Sequence, residues 1–120
     1  VYGDGSQSRC FCNVADSVRG IVGLADAPQA LGQVFNIGST DEITILELAR
    51  RTLALVHGSD AGWREQITFI PYAEAYAAGF EDMQRRVPDT TKVREAIGWT
   101  PEIPLDETLR QVIAFYRETA

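Results

Sequence analysis

The pair Thr44 and Glu47 constrains this chain more than any other feature. A threonine hydroxyl can accept the N–H three residues on, while a glutamate there reaches back to the threonine N–H, so the pair forms a capping box. Ile43 and Leu48 flank it as a hydrophobic staple. Ile45, Leu48, Ala49, Thr52, Leu55 and Val56 then recur at helical spacing, His57 falls in the last turn, and Gly58 stops the run. This predicts an amphipathic helix with Glu47, Arg50 and Arg51 facing solvent, and such a helix needs another element to cover its apolar side.

Shorter signals flank it. Phe11 to Val14 reads as a short strand leading to Asp16, which is expected to cap a helix with the stripe Val14, Val18, Ile21, Val22 and Ala25. Gly20 and Gly23 weaken that helix by about 1 kcal/mol each relative to alanine, which suggests close packing. Pro28 ends it. Val34-Phe35-Asn36-Ile37 reads as a second strand closed by Gly38-Ser39, and Ile67 to Ile70 before Pro71 as a third. Ser59 to Gln66 reads as a polar loop, and Tyr72 to Phe80 as a short helix or irregular loop. Asp89 or Thr90 caps a short helix with Val93, Ala96 and Ile97 inward and Gly98 at its end. Trp99-Thr100-Pro101 forms an anchored turn. A last helix starts near Leu105, with Asp106 and Glu107 in its first turn and Leu105, Leu109, Val112, Ile113 and Tyr116 as its stripe. The order predicts an α/β fold, a small sheet of short strands covered by helices, with residues 1–120 as one domain.

The chain of 120 residues carries a net charge of −6, which argues against nucleic acid or an acidic membrane surface as partner. No apolar run approaches the ~20 residues of a membrane span, and the first residues are a polar turn instead of a secretory leader. Val1 is not Met, and the opening reads as a piece of a longer protein. Cys10 and Cys12 would share a strand face in a geometry unsuited to a disulfide, and with one histidine a zinc site is poorly supported, so both read as thiols of a reducing cytoplasm.

Catalytic constellations are missing. There is no P-loop. Gly3-Asp4-Gly5 begins a dinucleotide fingerprint, but its sixth position is Ser8 and no strand-to-helix unit surrounds it. Serine-type catalysis would rest on His57 at a helix end. The single lysine, Lys92, has Pro88 four residues before it, so no tyrosine–lysine pair at helical spacing exists. Glu81 and Asp82 diverge as neighbours and read as salt-bridge partners of Arg85 and Arg86.

Binding chemistry is more visible. Tyr2 precedes the turn Gly3-Asp4-Gly5-Ser6, and Gln7 and Arg9 follow at spacing two, on one face of an extended chain. A guanidinium fork fits a phosphate or carboxylate. The turn is either one wall of a site for a phosphorylated small molecule or an exposed hairpin with a surface arginine. Arg86, beside the rigid Val87-Pro88 step, either joins a surface ion network or points with Arg9 at a shared diphosphate. Asn36 either satisfies a backbone group or reaches a ligand.

Gly3-Asp4-Gly5-Ser6-Gln7-Ser8-Arg9 with Phe11, Val14 and Asp16, then Phe35-Asn36-Ile37-Gly38-Ser39, then Arg86-Val87-Pro88-Asp89, Gly98-Trp99 and Pro101, in order across nearly the whole chain, resembles the second half of extended short-chain dehydrogenases/reductases acting on nucleotide sugars. Within that family the match looks nearest to UDP-glucuronate decarboxylases, 4-epimerases and 4,6-dehydratases. The resemblance implies the C-terminal substrate domain of a Rossmann-type parent whose absent N-terminal half binds NAD and holds the catalytic tyrosine and lysine. It implies that Tyr2 and Gln7 line the nucleotide pocket, that Arg9 and Arg86 bind the diphosphate of a UDP- or dTDP-sugar, and that Asn36 sits near the nucleotide. The fragment alone is expected to be inactive, to bind no cofactor, and to self-associate through surface meant for its own N-terminal domain. Cys10 and Asn13 depart from the family pattern. The competing expectation is a stand-alone, non-catalytic interaction domain.

Overall fold

Asn13, three residues ahead of the expected cap, turns the chain into its first helix. Its side-chain oxygen accepts the Ala15 N–H at 2.9 Å, and α1 runs Val14–Ala25. In this computed structural model, residues 1–75 and 83–119 are described. The further elements are β1 (Ser8–Cys10), a 3₁₀ turn at Pro28–Ala30, β2 (Glu42–Thr44), α2 (Ile45–His57), α3 (Trp63–Gln66), α4 (Tyr72–Ala75), α5 (Thr91–Ile97) and α6 (Leu105–Thr119). β1 and β2 pair as a two-stranded sheet, so the fold is α/β with a small sheet and helices around it.

The chain divides into two compact units. The first holds Val1–Arg9, Ile43–Arg86 and Leu109–Ala120; the second holds Cys10–Glu42 and Val87–Thr108.

In the first unit, α2 has the limits that its sequence signals. Thr44 Oγ1 accepts the Glu47 N–H at 3.1 Å, Ile43 is buried behind it, and Gly58 closes the helix in the left-handed region at φ 81°. Arg117 of α6 donates to the Val56 carbonyl at 3.1 Å, satisfying one of the carbonyls that the end of α2 leaves open. Arg50 is not simply solvated: it pairs with Asp60 at 2.7 Å and lies over the Trp63 ring. Arg64 covers the same ring, and this cation–aromatic contact accompanies the single helical turn of α3 inside the expected loop. The expected strand Ile67–Ile70 is reduced to a parallel bridge between Ile70 and Tyr2. Of Tyr72 to Phe80, the first four residues are helical; the remainder lies outside the described residues, as do Glu81 and Asp82.

In the second unit, α1 buries the face opposite to the expected one. At 100° per residue, Asp16, Gly20 and Ala27 share a side, and Val14, Val18, Ile21, Val22 and Ala25 share the other. Asp16 and Gly20 are buried, whereas Val14, Val18, Ile21 and Val22 are 51–75% exposed. The reason is Gly20. A Cβ there would lie 3.0 Å from Trp99 Nε1 and 3.2 Å from Ile37 Cδ1, so the missing side chain lets the indole reach the helix. Trp99 Nε1 donates to the Asp16 carbonyl at 3.0 Å. Val93 of α5 is fully buried, and Gly98 ends α5 at φ 68°. Val34–Ile37 is not a strand: among the described residues it has no ladder, and apolar side chains alone do not supply the neighbouring backbone.

Candidate functional site

The N-terminal turn is built from glycine and local hydrogen bonds. Gly3 and Gly5 have φ of 68° and 76°, angles that side chains disfavour. Asp4 Oδ1 accepts both the Ser6 N–H at 2.9 Å and the Ser6 hydroxyl at 2.6 Å. These bonds from Ser6, its side chain first, lower the Asp4 pKa below its ordinary 3.8. The turn sits on the start of α2: Ile45 and Leu46 donate their N–H groups to the carbonyls of Gln7 and Gly5, each at 3.0 Å. A Cβ on Gly5 would fall 2.9 Å from Leu46 Cβ, so glycine is required for this approach.

Gln7 is 5% exposed, and its side-chain amide donates to the Tyr2 carbonyl at 3.1 Å. It therefore holds the two ends of the turn together. Tyr2 is half exposed, flanked by bonds from Gly3 N–H to the Ile70 carbonyl and from Ile70 N–H to the Val1 carbonyl, both 2.9 Å.

Arg9 and Arg86 are brought close by a non-local pairing. Ser8 and Arg85 form a parallel bridge, and the Ser8 N–H donates to the Gln84 carbonyl at 2.8 Å. Arg9 and Arg86 each follow a member of that bridged pair, so they occupy matched positions on adjacent parallel backbones. Arg9 Nη1 donates to the carbonyls of Met83 and Ser8, both at 2.7 Å, which orients the half-buried guanidinium along the neighbouring segment. Arg86 is exposed. Two guanidinium groups on adjacent chains can neutralise one diphosphate.

Tyr2, Gln7, Arg9 and Arg86 all lie in the first unit, and Asn36 lies in the second. Asn36 Nδ2 donates to the Asp89 carbonyl at 3.2 Å, so it satisfies a backbone group of the segment that follows Arg86. Met83, which anchors Arg9, was invisible to sequence reasoning, because its part is played by a backbone carbonyl that any residue possesses. Asp16 was singled out as a cap; its actual role links α1 to residues 102 and 103. Cys10 and Cys12 are half-buried thiols, and His57 is exposed at the end of α2. Among the described residues no group of three or more metal-ligating side chains occurs, and no helix is long and apolar enough to cross a membrane.

A family model described as GDP-mannose 4,6 dehydratase matches residues 1–112. UDP-N-acetyl-alpha-D-glucosaminuronate decarboxylase of Bacillus cytotoxicus is 36% identical over 118 residues, covering 98% of this chain and 35% of that protein. UDP-glucuronic acid decarboxylase 1 of Danio rerio is 38% identical over 116 residues, covering 97% of this chain and 25% of that protein. This chain thus spans a quarter to about a third of the length of the curated relatives it matches. Among solved structures, UDP-glucose 4-epimerase of Thermotoga maritima, determined with UDP-glucose, superposes with a TM-score of 0.79 at 26% identity over 99% of this chain and 34% of that one. The dTDP-glucose 4,6-dehydratase of Bacillus anthracis, in complex with NAD, superposes with a TM-score of 0.81 over 98% of this chain and 34% of that one; at 21% identity this shows a shared fold. The chain belongs to the GDP-mannose 4,6 dehydratase family, within the extended short-chain dehydrogenases/reductases that comprise NAD-dependent nucleotide-sugar epimerases and dehydratases.

Proposed function

We propose that this chain is the nucleotide-sugar-binding part of an NAD-dependent epimerase, dehydratase or decarboxylase, and that Arg9 and Arg86 grip the diphosphate of a UDP- or dTDP-sugar. The observation that carries this reading is the parallel register of Ser8 with Arg85, which sets the two arginines side by side in one unit. Tyr2 borders the nucleotide and Gln7 fixes the turn that presents it, while Asn36, within the second unit, holds the Asp89 carbonyl. NAD and the catalytic tyrosine and lysine belong to an N-terminal Rossmann domain outside this chain. The share of the chemistry done here is binding and orientation, which convert a diffusing sugar into one held against the cofactor for transient oxidation at C4. A reducing cytoplasm suits the thiols of Cys10 and Cys12.

The test is affinity in the full-length parent. A charged hydrogen bond contributes about 1.5–3 kcal/mol, so Arg9→Ala and Arg86→Ala should each weaken UDP-sugar binding roughly 10- to 150-fold. Unchanged affinity in both would refute the reading. The 120-residue chain alone should show no turnover and no NADH absorbance with UDP- or dTDP-sugars.

A second reading, that of a stand-alone interaction domain, is favoured by the exposed stripe Val14, Val18, Ile21 and Val22 on α1. Under the main reading the same stripe faces the N-terminal domain in the parent and drives self-association of the isolated chain. Sedimentation of the isolated chain checks this: a monomer at millimolar concentration argues against a sticky α1 face.

A further inference from the structure

We infer that Tyr72 is a positioning residue for the nucleotide: its ring presses on Gly3 and thereby fixes the direction in which Tyr2 is presented. This deepens the proposed function and rests on its placement of Tyr2 at the nucleotide.

The residues involved all lie in the first unit. A Cβ built on Gly3 would fall 2.6 Å from Tyr72 Cε2, 2.9 Å from Cζ and 3.2 Å from Cδ2. The phenol ring therefore lies over the bare α-carbon, in space that any side chain at this position would occupy. Gly3 meets two demands at once, the φ of 68° and this approach. The ring is set in place by its own segment. Ile70 pairs with Tyr2 in a parallel bridge, and Pro71 restricts the backbone that follows. The N–H groups of Glu74 and Ala75 donate to the Pro71 carbonyl at 3.0 and 3.1 Å, which turns the chain into α4 with Tyr72 at its head.

The peptide joining Tyr2 to Gly3 is thus held at each of its parts. Its carbonyl accepts from Gln7 Nε2 at 3.1 Å, its N–H donates to the Ile70 carbonyl at 2.9 Å, and the Tyr72 ring packs on the carbon that follows. Glycine is the most permissive residue of a chain, and the ring limits the angles that Gly3 can take. The Tyr2 side chain is 48% exposed, and its direction depends on the backbone that carries it. A turn ordered before the nucleotide arrives spares the cost of ordering it on binding.

The test is UDP affinity of the full-length parent by calorimetry, with Tm followed in parallel. Tyr72→Ala should weaken UDP binding roughly 2- to 10-fold, the cost of ordering one further side chain on binding. Tyr72→Phe keeps the ring and should bind UDP as wild type does. Gly58→Ala, in the same unit at the far end of α2, strains a left-handed position and should lower Tm without changing UDP affinity, which separates positioning from a general loss of stability. Gly3→Ala drives a methyl into the ring of wild type but meets no ring in Tyr72→Ala, so the two losses of affinity should be less than additive. Wild-type affinity in Tyr72→Ala, with Arg9→Ala and Arg86→Ala weakened, overturns the positioning role alone. An equal loss in Tyr72→Phe, or additive losses with Gly3→Ala, also overturns it. Wild-type affinity in all of these variants, the arginine ones included, overturns the binding reading and this inference together.

Discussion

Asp16→Asn should destabilise the second unit far more than a one-atom change suggests. Asp16 is 2% exposed, and it accepts three hydrogen bonds through its side chain: from Arg19 Nη2 at 2.8 Å, the Glu102 N–H at 3.0 Å and the Ile103 N–H at 2.9 Å. Oδ1 serves Arg19 and Oδ2 serves both backbone groups, so an asparagine must aim its NH₂ at one donor set or the other. The bonds also lose their charge. Charged hydrogen bonds are worth about 1.5–3 kcal/mol each, but Arg19 is 40% exposed and its share is screened, which leaves an expected loss of about 2–3 kcal/mol. At roughly 4 °C per kcal/mol for a chain of this size, Tm should fall by about 8–12 °C. The sign of the pH dependence follows from the folded-state pKa. Burial opposes ionisation of Asp16, but bonds from Arg19, Ile103 and Glu102 together with the Arg19 charge outweigh it and hold the pKa below 3.8. The ionised contribution is therefore complete above the unfolded-state value and is lost as pH falls through the folded-state value. Urea titrations followed by tryptophan fluorescence, at steps from pH 7 to pH 3, should show a constant difference between wild type and variant down to pH 5 that shrinks below about pH 4. Glu102→Ala is the control: its carboxylate is 69% exposed at 3.4 Å from Arg19, and its removal should cost under about 0.5 kcal/mol. A variant within about 0.5 kcal/mol of wild type at pH 7, or a difference that persists undiminished in acid, refutes the argument.

Two glycines of α1 should respond oppositely to alanine. Gly20→Ala forces a methyl against the Trp99 indole, and thermal unfolding should show a loss of about 1–3 kcal/mol despite better helix propensity. Gly23→Ala meets only the flexible tip of Ile97, and should be neutral or stabilising by up to about 1 kcal/mol. Thr44→Ala removes the α2 cap and should cost about 1 kcal/mol by denaturant titration, with the m value unchanged. Gln7→Leu leaves the Tyr2 carbonyl without its donor and should cost about 1 kcal/mol, with faster hydrogen exchange across residues 3–7.

Where the governing interactions are local, residue order was sufficient. Thr44 and Gly58 bound α2 because a cap and a left-handed glycine act on backbone within one turn of themselves. Gly98 ends α5 for the same reason, and within the Gly3–Ser6 turn Asp4 holds Ser6 by bonds two residues long. The Gly-rich turn and the Arg86-Val87-Pro88-Asp89 segment also carried the resemblance to the family, which the match over residues 1–112 shows. What α1 buries could not be read this way. Its valine and isoleucine stripe looked like the core side, yet the buried side holds a carboxylate and a glycine, because an indole 83 residues away fits only there. The apolar stretch Val34–Ile37 remained without a ladder among the described residues, since a strand exists through its neighbour's backbone and not through its own side chains. The meeting of Arg9 with the segment of Arg86 is of that same kind. It depends on a bridge at Ser8 and on a carbonyl 74 residues from Arg9, and a backbone oxygen, present in every residue, leaves no trace in the order of side chains.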